Sequence, residues 1–368
     1  MPLPVSGALQ FRSLSAGAAH SCGITSGGLT YCWGWNRDGE LGDGTRTDRP
    51  GPTAVAGTLQ FDAVAAGGGH TCAARPGGGY CWGFNLSGQL GDSTTTSRVA
   101  PQAVLGGAPF VQLAAGGAYS CAISADSSAS CWGYGGAGQL GNGARSNQLA
   151  PTAVGSAAKF VAVSAGTQHT CARGADSIVS CWGSNAFGEL GNGTRADTTR
   201  PTVVAGGLKF VAVTVGFQHS CGLTVSGAAY CWGDNQLGQL GDTTVGQSSV
   251  PLPVDGGFTY RRLSAGGLYT CGITTANVAL CWGADGSGQL GSPPTNQCVG
   301  PSAGGPCSPL PQPVMGGYTF VEIAAGAQHT CAVTTLQQAL CWGLNSNGQL
   351  GSAALVGGGL LGPVAVDP

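Results

Sequence analysis

The sequence predicts an all-β fold: a seven-bladed β-propeller with about four short antiparallel strands per blade, its ring closed by a terminal strand. Three observations predict it. Cys-Trp-Gly begins at Cys32, Cys81, Cys131, Cys181, Cys231, Cys281 and Cys341, at a spacing of 49 or 50 residues except for a last step of 60. Each copy holds short β-branched or aromatic runs in period-two alternation, separated by glycine-rich turns, and no stretch sustains helical periodicity. Four such runs per repeat of about 50 residues is the arithmetic of a propeller blade. The whole chain, 1–368, therefore reads as one domain of seven repeats.

The fifth copy shows the strands in order. Phe210-Val211-Ala212-Val213-Thr214-Val215 alternates and is β-branched, as a strand should be. His219 to Leu223 and Tyr230 to Gly233 are the second and third strands. Pro251-Leu252-Pro253-Val254 is the fourth, and its prolines suit an edge that lacks full ladder pairing. Between the third and fourth strands each copy carries Gly-(Gln/Glu)-Leu-Gly, as in Gly88 to Gly91. Before the second strand each carries Ala-Gly-x-x-(His/Tyr)-(Ser/Thr)-Cys, as in Ala165 to Cys171, with Val215 replacing Ala once. Two further edge-strand segments stand at the chain ends, Pro2-Leu3-Pro4-Val5 and Pro363-Val364-Ala365-Val366. One of them completes the last blade, removing an open edge; the C-terminal segment is the expected closing strand.

Composition restricts function. Charged residues are 8% of the chain, the net charge is −2 and only Lys159 and Lys209 are lysines, so no basic patch to displace counterions from a nucleic acid can be assembled except locally around Arg261 and Arg262, a pair read as a solvated strand end. No apolar run approaches the ~20 residues of a membrane-spanning helix. The start, Met1-Pro2-Leu3-Pro4-Val5, lacks the regions of a signal peptide, so an exported protein would be represented here by its mature form or by an excised domain. Neither a cofactor nor a metal is called for, and the expected state is a monomer or a module of a larger chain.

Of 16 cysteines, 14 form one pair per repeat: Cys22/Cys32, Cys72/Cys81, Cys121/Cys131, Cys171/Cys181, Cys221/Cys231, Cys271/Cys281 and Cys331/Cys341. Three chemistries compete. Zinc lacks a Cys-x-x-Cys knuckle and four ligands per blade. Free thiols pack well as small apolar groups. Disulfides fit best, because opposed residues of a hairpin at a non-hydrogen-bonded position lie about 4.5 Å apart, within bridging range. The eighth pair, Cys298/Cys307, falls in the one insertion, residues 292–310. Disulfides imply an oxidising compartment, hence an extracellular or cell-surface location.

The pattern Ala-Gly-x-x-His-(Ser/Thr) followed by Trp-Gly-x-Asn-x-x-Gly-Gln-Leu-Gly resembles the regulator of chromosome condensation repeat family over essentially the whole chain. The resemblance implies a seven-bladed propeller, and the cysteine pairs set this chain apart from the intracellular members as a disulfide-rich extracellular one, expected to be bacterial. The family's founding member promotes nucleotide exchange on a Ran-type GTPase, which supplies the alternative reading of a guanine-nucleotide exchange factor. A plant ultraviolet photoreceptor in the family carries tryptophans at the two variable positions of Ala-Gly-x-x-His; here those positions include Gly68-Gly69 and Phe217-Gln218, and none of the seven copies has Trp. A secreted bacterial inhibitor of β-lactamase, which binds through one face of the ring, matches the inferred compartment.

All five histidines, His20, His70, His169, His219 and His329, fill one slot of the repeat, and Tyr119 and Tyr269 fill it in the other two copies. That exchange points to a structural hydrogen bond rather than a metal ligand or proton relay. The seven Cys-Trp-Gly tryptophans are expected in the blade core, each beside its own disulfide. No nucleophile with a base and no paired carboxylates stand out, so a non-enzymatic binding scaffold is expected. Specificity is expected where copies differ. After Cys-Trp-Gly come Trp35, Phe84 and Tyr134 in consecutive copies, and Phe187 and Phe217 fall in turns of the fourth and fifth. These form a candidate aromatic arc on one face, with Arg37 and Asp38 at its rim, able to dock a protein or a glycan; the competing reading is that the rings fill gaps between blades.

Overall fold

The structure, a computed structural model, describes residues 2–352 apart from 8, 107–108, 296–297 and 299–304. It contains 28 strands in seven four-stranded antiparallel sheets, and no helix among the described residues. In the fifth blade the strands are Phe210–Val215, His219–Thr224, Ala229–Asp234 and Gln247–Pro253, so the sequence reading holds to within a few residues. The innermost strands, from Phe11–Ala16 through Phe320–Ala325, contact one another in a closed ring.

Closure differs from the expectation. The last blade, Phe320–Ala325, His329–Thr334 and Ala339–Gly343, takes Leu3–Pro4 as its outer strand, with Leu3 opposite Cys341 and Pro4 opposite Leu340. The N-terminal segment thus occupies the edge assigned above to 363–366, which lies outside the described residues. Main-chain bonds from Val5 N–H to Ala339 O and from Ser6 N–H to Gly351 O extend the closure past the ladder. Leu3 and Val5 also join the apolar cluster of Trp33 and Cys341, so packing reinforces the main-chain pairing.

All seven blade pairs are disulfides, each with Cα atoms 4.1 Å apart and directly opposite in the ladder between the second and third strands. Cys298 is joined to Cys307, and no cysteine is free. The tryptophans require a correction. Trp182 packs with Cys121 and Cys131 of the preceding blade, not with its own neighbour Cys181. Trp232 likewise meets Cys171 and Cys181, and Trp33 meets Cys331 and Cys341 across the closing junction. The cause is strand geometry: adjacent residues point to opposite faces, so Cys and the Trp after it cannot share one. Each disulfide is therefore the floor of the next blade's Trp and of the aromatic paired with it, such as Phe160 against Trp182 at 6.0 Å. The core lies between blades.

Candidate functional site

The repeat motif is a set of bonds from each blade to the one before it and the one after. The Trp indole N–H and the hydroxyl before the first Cys both donate to the main-chain carbonyl in the previous blade's Gly-(Gln/Glu)-Leu-Gly turn. In the fourth blade, Trp182 Nε1 and Thr170 Oγ1 lie 2.8 and 2.9 Å from Gln139 O. The pair recurs around the ring and closes it, Trp33 Nε1 and Ser21 Oγ reaching Gln349 O. The last Gly of each turn sits against the next indole: a Cβ on Gly141 would lie 2.6 Å from Trp182 Nε1, and its φ of +67° disfavours other residues.

The His/Tyr slot faces forward. His169 Nε2 is 2.9 Å from Ser220 Oγ of the following blade, and the other four histidines make the equivalent bond. Where Tyr replaces His, its longer side chain reaches the next main chain, as Tyr119 Oη donates to His169 O at 2.6 Å. Burial lowers the histidine pKa values to about 3 or 4 and keeps the rings neutral at pH 7. The slot is structural, as the His/Tyr exchange indicates.

This constant frame presents the variable residues. The residue after each Cys-Trp-Gly donates its N–H into the turn between the first and second strands: Trp35 to Ala19 O, Phe84 to Gly69 O, Tyr134 to Ala118 O, all at 2.8–2.9 Å. Phe217 lies in that same turn of the fifth blade. Trp35, Phe84, Tyr134 and Phe217 therefore share one face, with Phe187 on the same side in the loop between the third and fourth strands of the fourth blade, and Phe217 also lines a depression of about 180 Å³ formed by the Ala and Gly of the turns between first and second strands. Tyr134 and Phe217 are 37% and 43% exposed, while Trp35, Phe84 and Phe187 are half-buried. Arg37 is exposed and stacks over Trp35 at 5.4 Å, and Asp38 pairs with Arg46 at 3.7 Å. Tyr134 lies across its own loop, close enough that a Cβ on Gly136 would collide with it. The rings thus combine exposure with packing inside their own loops.

Sequence reasoning missed Leu86, 67% exposed on the loop after Phe84, and the carboxyls and carboxamides beneath the face. Glu40 and Glu189 stand where the other copies have Gln, and all seven are buried. Burial pushes Glu40 up to about 7, and Asp38 and Asp48 nearby add to the rise. Glu189 is raised by the same desolvation. A second cavity, of about 470 Å³, lies on this face beside Phe217, over the sixth blade. Of the insertion 292–310, the described part includes Gly305 and Pro306, which form one wall of that cavity.

The geometry defines a class: a disulfide-pinned, seven-bladed propeller presenting variable loops on one face. The RCC1-like domain profile matches residues 2–303, and the regulator of chromosome condensation (RCC1) repeat matches 278–333 and 320–349. The chain belongs to the RCC1-like domain family. Over 40 residues it is 50% identical to the ultraviolet-B receptor UVR8 of Arabidopsis thaliana, a match spanning 11% of this chain and 9% of that protein. Among solved structures it is similar to Prp20p of Saccharomyces cerevisiae, with a TM-score of 0.73 and 20% identity over 90% of this chain and 81% of that one. It is similar as well to the CRINKLY WD40 ectodomain of the Arabidopsis thaliana receptor kinase ACR4, with a TM-score of 0.56 and 22% identity over 91% and 96%. At these identities the solved structures establish the fold.

Proposed function

We propose that this chain is a non-enzymatic secreted or cell-surface scaffold that binds a protein or glycan through the face carrying Trp35, Phe84, Tyr134 and Phe217. The observation that carries it is the division of labour in the repeat: the motif residues are used up in bonds between blades, and the residue after each Cys-Trp-Gly is left to vary on a rigid frame. Eight disulfides support an oxidising compartment, and the similarity to a receptor-kinase ectodomain fits that setting. A bacterial source is part of the proposal and rests on the resemblance to secreted inhibitors of that origin. Replacing Trp35, Phe84 and Tyr134 together with alanine should abolish partner capture, by at least about a hundredfold, while the thermal transition stays cooperative. Capture retained by a folded triple variant would sink the proposal.

The second reading is an exchange factor for a small GTPase. Its support is the similarity to Prp20p, which was studied for its binding to Gsp1p and histones. A chain with its cysteines reduced in its native compartment would favour this reading over the first.

A further inference from the structure

The 470 Å³ cavity over the sixth blade is lined in part by Ala284, the smallest residue to follow Cys-Trp-Gly in any of the seven copies. In two blades the residue after Cys-Trp-Gly binds the Gln/Glu five positions later in the same loop. In the fifth blade Asp234 accepts from Gln239 Nε2 at 2.8 Å, and in the fourth Ser184 bonds Glu189 at 3.1 Å. The second and third blades have Phe84 and Tyr134 there. The sixth has Ala284, and Gln289 beneath it becomes part of the cavity lining.

Gln289 is only 3% exposed and firmly held. Its Oε1 accepts from Ser287 N–H at 2.8 Å, and its main-chain carbonyl takes the Trp342 and Thr330 bonds, each at 2.9 Å. Its Nε2 meets no acceptor among the described residues, as is also true of Gln89, Gln139 and Gln349, and here that neutral N–H donor borders a cavity. Around it stand Phe217, Leu237, Leu268 and Pro306, with the Gln328 carboxamide at the edge. The sector carries no cationic side chain. The loops and turns of the fifth to seventh blades on this face contain no Lys or Arg, and Asp234, Asp242 and Asp285 are all buried. The first, third and fourth blades place Arg37, Arg46, Arg145 and Arg195 on theirs.

We propose that this cavity binds a neutral acetamido sugar, an N-acetylhexosamine at the end of a glycan; this deepens and rests on the face-binding reading above. An acetamido carbonyl supplies the acceptor that Gln289 Nε2 lacks. Its methyl group fits the wall of Ala284, Leu268 and Ala327, and the apolar face of the pyranose fits the exposed Phe217 ring. An anionic ligand would find no counter-ion in this sector.

The test uses the whole chain with free N-acetylglucosamine as probe and glucose as comparison, read by calorimetry or saturation-transfer NMR. Two variants have precedents within the repeat: Ala284→Tyr fills the cavity with the residue found at 134, and Gln289→Glu, with Glu as at 40 and 189, replaces the donor by a carboxylate when binding is read at about pH 8.5 or above. Val225→Ser, 85% exposed on a hairpin of the opposite face, is the control. Saturable N-acetylglucosamine binding, at least about tenfold tighter than glucose, lost about tenfold or more in both cavity variants and unchanged in the control, is the expected result. Absence of binding, equal binding of glucose, or binding unaffected by Ala284→Tyr overturns the cavity assignment. The face reading is judged separately: partner capture abolished by the Trp35, Phe84 and Tyr134 triple variant keeps it standing even when the sugar does not bind.

Discussion

At the scale of single residues, Glu40 shows how the frame constrains chemistry near the proposed binding face. Five copies have Gln at this position, so the slot is built for a neutral side chain, and burial pushes the Glu40 carboxyl up from 4.5 to about 7. Because the folded pKa is above the unfolded one, the stabilisation from the neutral acid is complete below pH 4.5 and is lost as pH rises through 7. Glu40→Gln should therefore flatten the stability profile between pH 5 and pH 8, removing a drop of up to about 3 kcal/mol. Thermal melts across that range check it, the buried histidines cancelling because both proteins share them; parallel pH profiles would contradict a buried carboxyl. The sequence showed Glu and Gln exchanging but not that the position is buried, since burial here comes from the next blade. The tryptophans teach the reverse: period-two alternation already separates Cys181 from Trp182, and the expectation of a shared pocket overlooked it. The cysteine pairing was legible because register in a short hairpin is fixed by its turn.

At the scale of the strand and blade, the disulfides bridge opposed positions of the second and third strands and also form the floor of the neighbouring core. Losing one costs more than loop entropy, because the bond also fills volume against Trp and Phe. Converting Cys221 and Cys231 together to alanine should lower stability by roughly 3–5 kcal/mol, measured by denaturant unfolding. A loss below about 1 kcal/mol would show that the bridge adds nothing to a hairpin already held by its ladder. Strand positions were legible from alternation and turn residues. The origin of the closing strand was not, because two segments of similar composition suit one edge; the N-terminal one takes it by pairing with Ala339–Gly343 and packing beside Trp33 and Cys341.

At the scale of the molecule, seven copies of one bonding pattern make a closed ring in which no blade is independent, and function falls to what the pattern leaves free. Blade count and family were legible because seven motif copies report them directly. The partner was not, because the proposed binding face is made of non-repeating residues such as Leu86, Phe217 and Ala284, for which the repeat gives no template. The central claim, a disulfide-pinned scaffold working outside reducing compartments, is tested most directly by intact mass of the protein from its native source, alkylated with and without prior reduction. The account predicts eight disulfides, with no alkylation until reduction exposes 16 thiols. Sixteen thiols alkylated without reduction would contradict it, leave the propeller intact and favour the exchange-factor reading.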